Sequence, residues 1–147
     1  MAIKLKERAE FEDLQCGQPG NMTAATITVF MIPFACVLKG ILARVRTAGT
    51  TGTANVDIRK NGTSIFSSGA TAIQFASGST TPTYGAMGAT NPASFVKGDI
   101  MSVVVTAVNT TPAVDLALAV CLQKQAGSGI VGAMLTDTLG PEAGVGA

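Results

Sequence analysis

Residues 56–66 read "VDIRKNGTSIF". Asn61-Gly62 is a preferred central pair for a two-residue type I′ hairpin, because both central positions need a positive φ. Folding the chain there pairs Lys60 with Thr63 and brings Ile58 opposite Ile65. The flanking pattern agrees, with Val56 and Ile58 on one face and Asn55, Asp57 and Arg59 on the other. Turn chemistry and hydrophobic alternation therefore give one register, and a slip of one residue would invert both faces.

The period of two continues on both sides of this hairpin. "VLKGILARVRTAG" sets Ile41, Ala43 and Val45 against Arg44 and Arg46. "AVDLALAVCLQK" sets Val114, Leu116, Leu118, Val120 and Leu122 against small or polar residues, and "ATITVFMI" alternates Thr with larger apolar residues. "VKGDI" (96–100) reads as a turn into the strand "IMSVVVTAV", and "NTTPA" turns the chain into the last strand. Between residues 68 and 94 one strand is expected around Ala72–Ala76, then a long loop with a short strand near Tyr84. No stretch of the body holds a 3.6-residue period. About eight strands in about 100 residues, with closely spaced turns, predict an all-β, jelly-roll-like antiparallel β-sandwich.

Composition divides the chain into three parts. Residues 1–24 form an N-terminal arm: Lys4, Lys6, Glu7, Arg8, Glu10, Glu12 and Asp13 crowd its start, and "CGQPGN" breaks the chain before the body. The sandwich body occupies residues 25–124. Residues 125–147 form a Gly-rich C-terminal tail that still carries Ile130, Val131, Met134, Leu135 and Leu139. At 147 residues, one domain is expected.

Function has few handles in this composition. Charged residues are 13% of the chain, about half the usual share, and the net charge is +1. No strong field draws nucleic acid or an anionic membrane. There is no His, which removes imidazole acid–base chemistry, Ser-His and Cys-His pairs, and His metal ligands. Asp57, Asp99, Asp115 and Asp137 stand apart in sequence and read as solvated or salt-bridged charges. Cys16, Cys36 and Cys121 are odd in number and widely spaced, without a disulfide or zinc pattern, and suit reducing synthesis inside a cell. No signal peptide is visible, and the longest apolar run, Val29–Leu38, is too short to span a bilayer. Catalytic, cofactor-binding and metal residues are all expected to be absent.

Three motifs invite a sharper reading. Gly127-Ser128-Gly129-Ile130-Val131-Gly132 matches the dinucleotide-loop spacing G-x-G-x-x-G. Only 15 residues follow it, too few for a crossover helix and a second parallel strand. These glycines read as bends in a tail resting on a neighbour. Lys97-Gly98-Asp99 resembles an integrin-type tripeptide but reads as a plain turn. Asn21, Asn61 and Asn109 begin N-x-[ST] triplets, which mean little without a secretory signal. Arg44, Arg46, Arg59 and Lys60 would form a basic patch if their strands were adjacent.

The run "FMIPFACVLKGILARVRTAGTTGTANVDIRKNGTSIF", with "FVKGDIMSVVVTAV" and "LALAVCLQK", resembles a β-sandwich module of tailed-bacteriophage structural proteins. The shared outline is a strand ending in proline, a strand closing on T-A-G, a V-D-I-x-x-N-G hairpin, and a G-D turn into the last two strands. It covers about residues 27–124. The resemblance implies a capsid decoration (cement) protein on the outside of a phage shell, made in the host cytoplasm. It would be a homotrimer, bridging capsomers by arm and tail contacts with the major capsid protein and with itself. It implies no catalytic residues. The alternative is a receptor- or glycan-binding fibre tip, whose loop from Ser77 to Ala93 would present Tyr84.

Overall fold

The computed structural model describes residues 10–88 and 93–125. The first nine residues of the arm, the tail beyond Gln125 with its glycine motif, and Asp137 lie outside the described residues. So do residues 89–92 of the Ser77–Ala93 loop.

The described chain is all-β. Its strands are β1 (Glu10–Asn21), β2 (Ala25–Met31), β3 (Cys36–Thr47), β4 (Thr53–Lys60) and β5 (Thr63–Ser64), then β6 (Ile73–Ala76), β7 (Thr83–Tyr84), β8 (Ser94–Phe95), β9 (Ile100–Ala107) and β10 (Val114–Lys124). One sheet has the order β1-β10-β3-β8, and the other β2-β9-β4-β6-β7, with β5 added on β4. All pairings are antiparallel. The early strands meet the late ones in reverse order: β1 with β10, β2 with β9, β3 with β8. This is a long two-stranded ribbon rolled into a sandwich, the jelly-roll arrangement. Eight strands carry the roll; β5 and β7, of two residues each, make ten.

The core lies between the two sheets. Leu38, Ala43 and Val45 of β3 and Leu116, Leu118, Val120 and Leu122 of β10 enter from one side. Val56 and Ile58 of β4, Ile73 and Phe75 of β6, and Met101, Val103 and Val105 of β9 enter from the other. These are the alternating faces read from the sequence. At the hairpin, Asn61 and Gly62 have φ of 51° and 87°. Lys60 pairs with Thr63, and the Ile65 N–H donates to the Ile58 carbonyl at 3.0 Å.

Two segments depart from the sequence pattern. Residues 10–21, set apart by charge, form β1, which pairs along β10 from Glu10↔Lys124 to Asn21↔Val114. Leu14 and Cys16 pack against the core, while Glu12 and Asp13 stay exposed on this edge strand, where charge discourages unwanted pairing. In β2 the register shifts between Thr26 and Thr28, so the alternation does not hold along the strand. Ile27 and Phe30 pack on the core, and Val29 and Met31 face outward at 59% and 67% exposure.

Candidate functional site

The polar residues that could do chemistry are each taken up by the fold. Asp57 is buried on β4; its Oδ2 accepts from Arg59 Nε at 3.0 Å and its Oδ1 from the Ser64 hydroxyl at 2.6 Å. Asp115, on β10 in the opposite sheet, accepts from the Gly20 N–H and from Arg46 Nε, both at 2.6 Å. Asp99 sits in the turn before β9 and accepts from the Val96 N–H at 2.8 Å and the Asn61 amide at 3.0 Å, with Lys60 Nζ at 3.7 Å. Each carboxylate thus has its own donors in its own part of the fold. Among the described residues no group of three or more Cys, Asp or Glu is arranged to hold a metal ion.

The other motifs resolve in the same way. Lys97-Gly98-Asp99 is a turn closed by the Asp99 N–H on the Val96 carbonyl, with Gly98 at φ 94°. Its carboxylate is spent inside the molecule. Asn109 is buried and Asn61 bonds Asp99 and the Ile100 N–H, so neither side chain is presented as a glycan acceptor. Arg44 and Arg46 belong to one sheet and Arg59 and Lys60 to the other, so the basic quartet is not brought together. Cys16, Cys36 and Cys121 are all free thiols, and burial pushes each of them up, away from thiolate reactivity.

Tyr84 has a structural task. Beyond its short pairing with β8, the outer edge of β3 lacks a strand. The Val45 N–H donates to the Thr80 carbonyl at 3.1 Å, and the Ala43 N–H donates to the Tyr84 hydroxyl at 2.9 Å. The loop therefore straps an open sheet edge, with the tyrosine oxygen standing in for a backbone acceptor.

What remains is a surface at one end of the sandwich. There β1 begins, β10 ends, and the β2–β3 corner (residues 32–35) and the turn at 96–99 cross. Glu10 pairs with Lys124, and the Gln125 N–H donates to the Ala35 carbonyl at 3.0 Å, so the two chain exits lie side by side. Phe11, Val29, Met31, Val96 and Ile100 belong to this end, five of the seven large apolar side chains that stand exposed. A shallow hollow between Phe11, Glu12, Phe34 and Lys124 lies between the exits, with Lys124 Nζ 5.1 Å from the Phe34 ring centre. The opposite end carries Thr, Ser, Gly and Asn turns (47–53, 77–81, 108–113) and none of the exposed large apolar residues. Alternation alone would not have marked this patch, because the β2 bulge decides which side chains face out.

The carboxylates beside these turns make stability pH-dependent. The Val96 N–H, followed by the Asn61 amide and Lys60, holds the Asp99 carboxyl below its ordinary value, and the Gly20 N–H with Arg46 does the same for Asp115. A carboxyl lowered by folding stabilises above its unfolded value, about pH 4, and loses that contribution as pH falls through the folded value. The urea midpoint is expected to hold steady above about pH 5 and to drop below about pH 4. A protein carrying Asp99→Asn and Asp115→Asn should show a flatter acid limb. An unchanged limb would assign acid sensitivity to other groups.

No protein-family profile, no curated protein and no solved structure matches the chain.

Proposed function

We propose that the chain is a structural virion protein that binds the outside of a phage capsid shell and stabilises it by bridging capsomers, self-associating as a homotrimer. The observation that carries this reading is the apolar end with both chain exits beside it. A sandwich offering one apolar end and one polar end suits a protein that sits on a surface. Residues 1–9 and the far part of the tail leave from the seated end and reach the major capsid protein and neighbouring copies. Burial of that end across subunit joints would favour the assembled shell by mass action. The resemblance in the turn motifs points the same way, and the commitment of each described carboxylate to structural contacts agrees with a mechanical role.

The test is the copy number of the chain in purified particles, by quantitative mass spectrometry against the major shell protein. Hundreds of copies in a near-fixed ratio are expected. A handful would replace this reading with a fibre or vertex role, and absence from particles would end it. A protein lacking residues 1–9 should fold and lose shell occupancy, while full occupancy would remove the arm from the mechanism. The deletion must stop before Glu10, because β1 begins there and covers the edge of β10.

A further inference from the structure

We infer that the chain's own tail continues past Gln125 along the bare edge of β2 and adds an eleventh strand there, with Ile130-Val131 covering Val29 and Met31. The argument is one of pairing continuity and does not depend on the virion reading.

Residues 25–47 form a single ribbon: β2, the corner at 32–35, then β3. One edge of this ribbon is tracked by the chain around β8 and β9. Cys36 pairs with Phe95, the Ile32 N–H donates to Asp99 O, the Gly98 N–H donates to Ile32 O, and Met31 pairs with Ile100. The pairing then runs to Ala25↔Val105. The other edge is tracked by β10 from Thr47↔Val114 to Cys36↔Lys124, and for one residue more at Gln125 and Ala35. There the described chain stops. Beyond it, the outer edge of β2 has no strand among the described residues.

That edge lacks the usual protections. Its seven residues, "ATITVFM", include no charge and no proline, and its one irregularity lies at the far end, between Thr26 and Thr28. Near the corner it exposes Val29 and Met31 beside Ile100. An apolar, uncharged edge of this kind pairs with whatever strand is offered.

The chain itself offers one, running antiparallel and already on the right edge. Continuing the Lys124↔Cys36 register without a shift sets Gly127 against Pro33, Ile130 against Phe30 and Val131 against Val29. Pro33 has no N–H to give to a ladder, and Gly127, Ser128 and Gly129 fall at the corner, where the backbone must bend and pass closely. The apolar pair arrives where the apolar edge begins. Ile130 lies five residues past Gln125, and Phe30 five residues before Ala35, so no slack or loop is required. A segment tethered this closely outcompetes the same segment from another molecule. The G-x-G-x-x-G spacing then marks a corner crossing followed by a short strand.

The experiment is hydrogen exchange on the full chain, with Ile130→Lys and Val131→Lys introduced together. Both positions lie outside the core that the two sheets form, so unchanged protection in β9 and β10 will show that the variant folds. Amides of residues 25–31 are expected to be protected in the parent and to exchange about tenfold faster or more in the variant. Equal exchange at residues 25–31 in the two proteins would overturn the inference. A second reading uses dilution: protection that is lost as the parent is diluted, with a dimer seen by native mass spectrometry, would put a second copy on this edge and also overturn it.

Discussion

Replacing Gly49 with alanine is expected to destabilise the protein by about 3 kcal/mol, because the added methyl has nowhere to go. Gly49 is buried where β3 closes on Thr47-Ala48-Gly49. A Cβ there would overlap the Oδ1 and Cγ of Asn109 and lie 2.8 Å from the Ala113 backbone nitrogen. Neither neighbour is free to retreat. The Asn109 Nδ2 donates to the Gly52 carbonyl at 2.9 Å. The Thr50 N–H donates to Thr111 O, and the Thr110 N–H donates to Thr51 O, both at 3.0 Å. The loops at 47–53 and 108–113 are therefore clamped face to face, and the methyl must force them apart. The measurement is the urea midpoint, with an unchanged slope showing that the native state stays compact. Adding Asn109→Gly should recover part of the loss, since the two positions share one space. A loss below about 0.5 kcal/mol would mean that the loops yield more readily than their bonding implies.

This contact also shows why some of the fold was legible in short motifs. Asn61 of the N-G hairpin bonds Asp99 of the G-D turn through its amide, and accepts from the Ile100 N–H. Gly49 of T-A-G makes room for Asn109 of the turn before β10. Turn residues separated by 38 and 60 positions thus lock the two ends of the sandwich, and turn chemistry can be read from single residues. Pairing partners cannot. β1 has only Leu14 and Cys16 to show an alternating core face, and it is held by β10, more than 90 positions away at every pairing. The exposed apolar end depends on the β2 bulge and on where both chain ends leave, so no local pattern announced it. The absence of His limited the chemistry in advance, and the structure adds what each carboxylate is bonded to.

Asp57 is the clearest case in which alternation misplaced a residue, and the second large effect is expected beside it. It lies on the face of β4 that points away from the core, where a charged side chain ordinarily meets water. Here β5 and the 3-10 turn at Gly69–Thr71 fold over it, leaving its side chain 1% exposed. The turn sits so close that a Cβ on Gly69 would be 2.8 Å from the Asp57 Oδ2. The Ser64 hydroxyl donates to the carboxylate and accepts the Phe66 N–H at 3.1 Å, so the carboxylate organises the chain that covers it. Arg59 closes the remaining side, with its own side chain 37% exposed. Arg59→Met should therefore cost about 3 kcal/mol, the low end for stranding one member of a buried pair, because Ser64 still donates. Arg59→Lys should recover only part of it, since an ammonium on a flexible stem does not reproduce the fixed Nε donor. Combining Arg59→Met with Asp57→Asn should cost less than the sum of the two single changes, because the second substitution removes the charge that the first left unpaired. Denaturant midpoints of the four proteins check this. A loss under about 1 kcal/mol for Arg59→Met would mean that the 64–72 cover lifts and lets water reach the carboxylate. Hydrogen exchange across residues 64–72 would then rise in that variant alone, and the burial of Asp57 would be a consequence of the Arg59 contact.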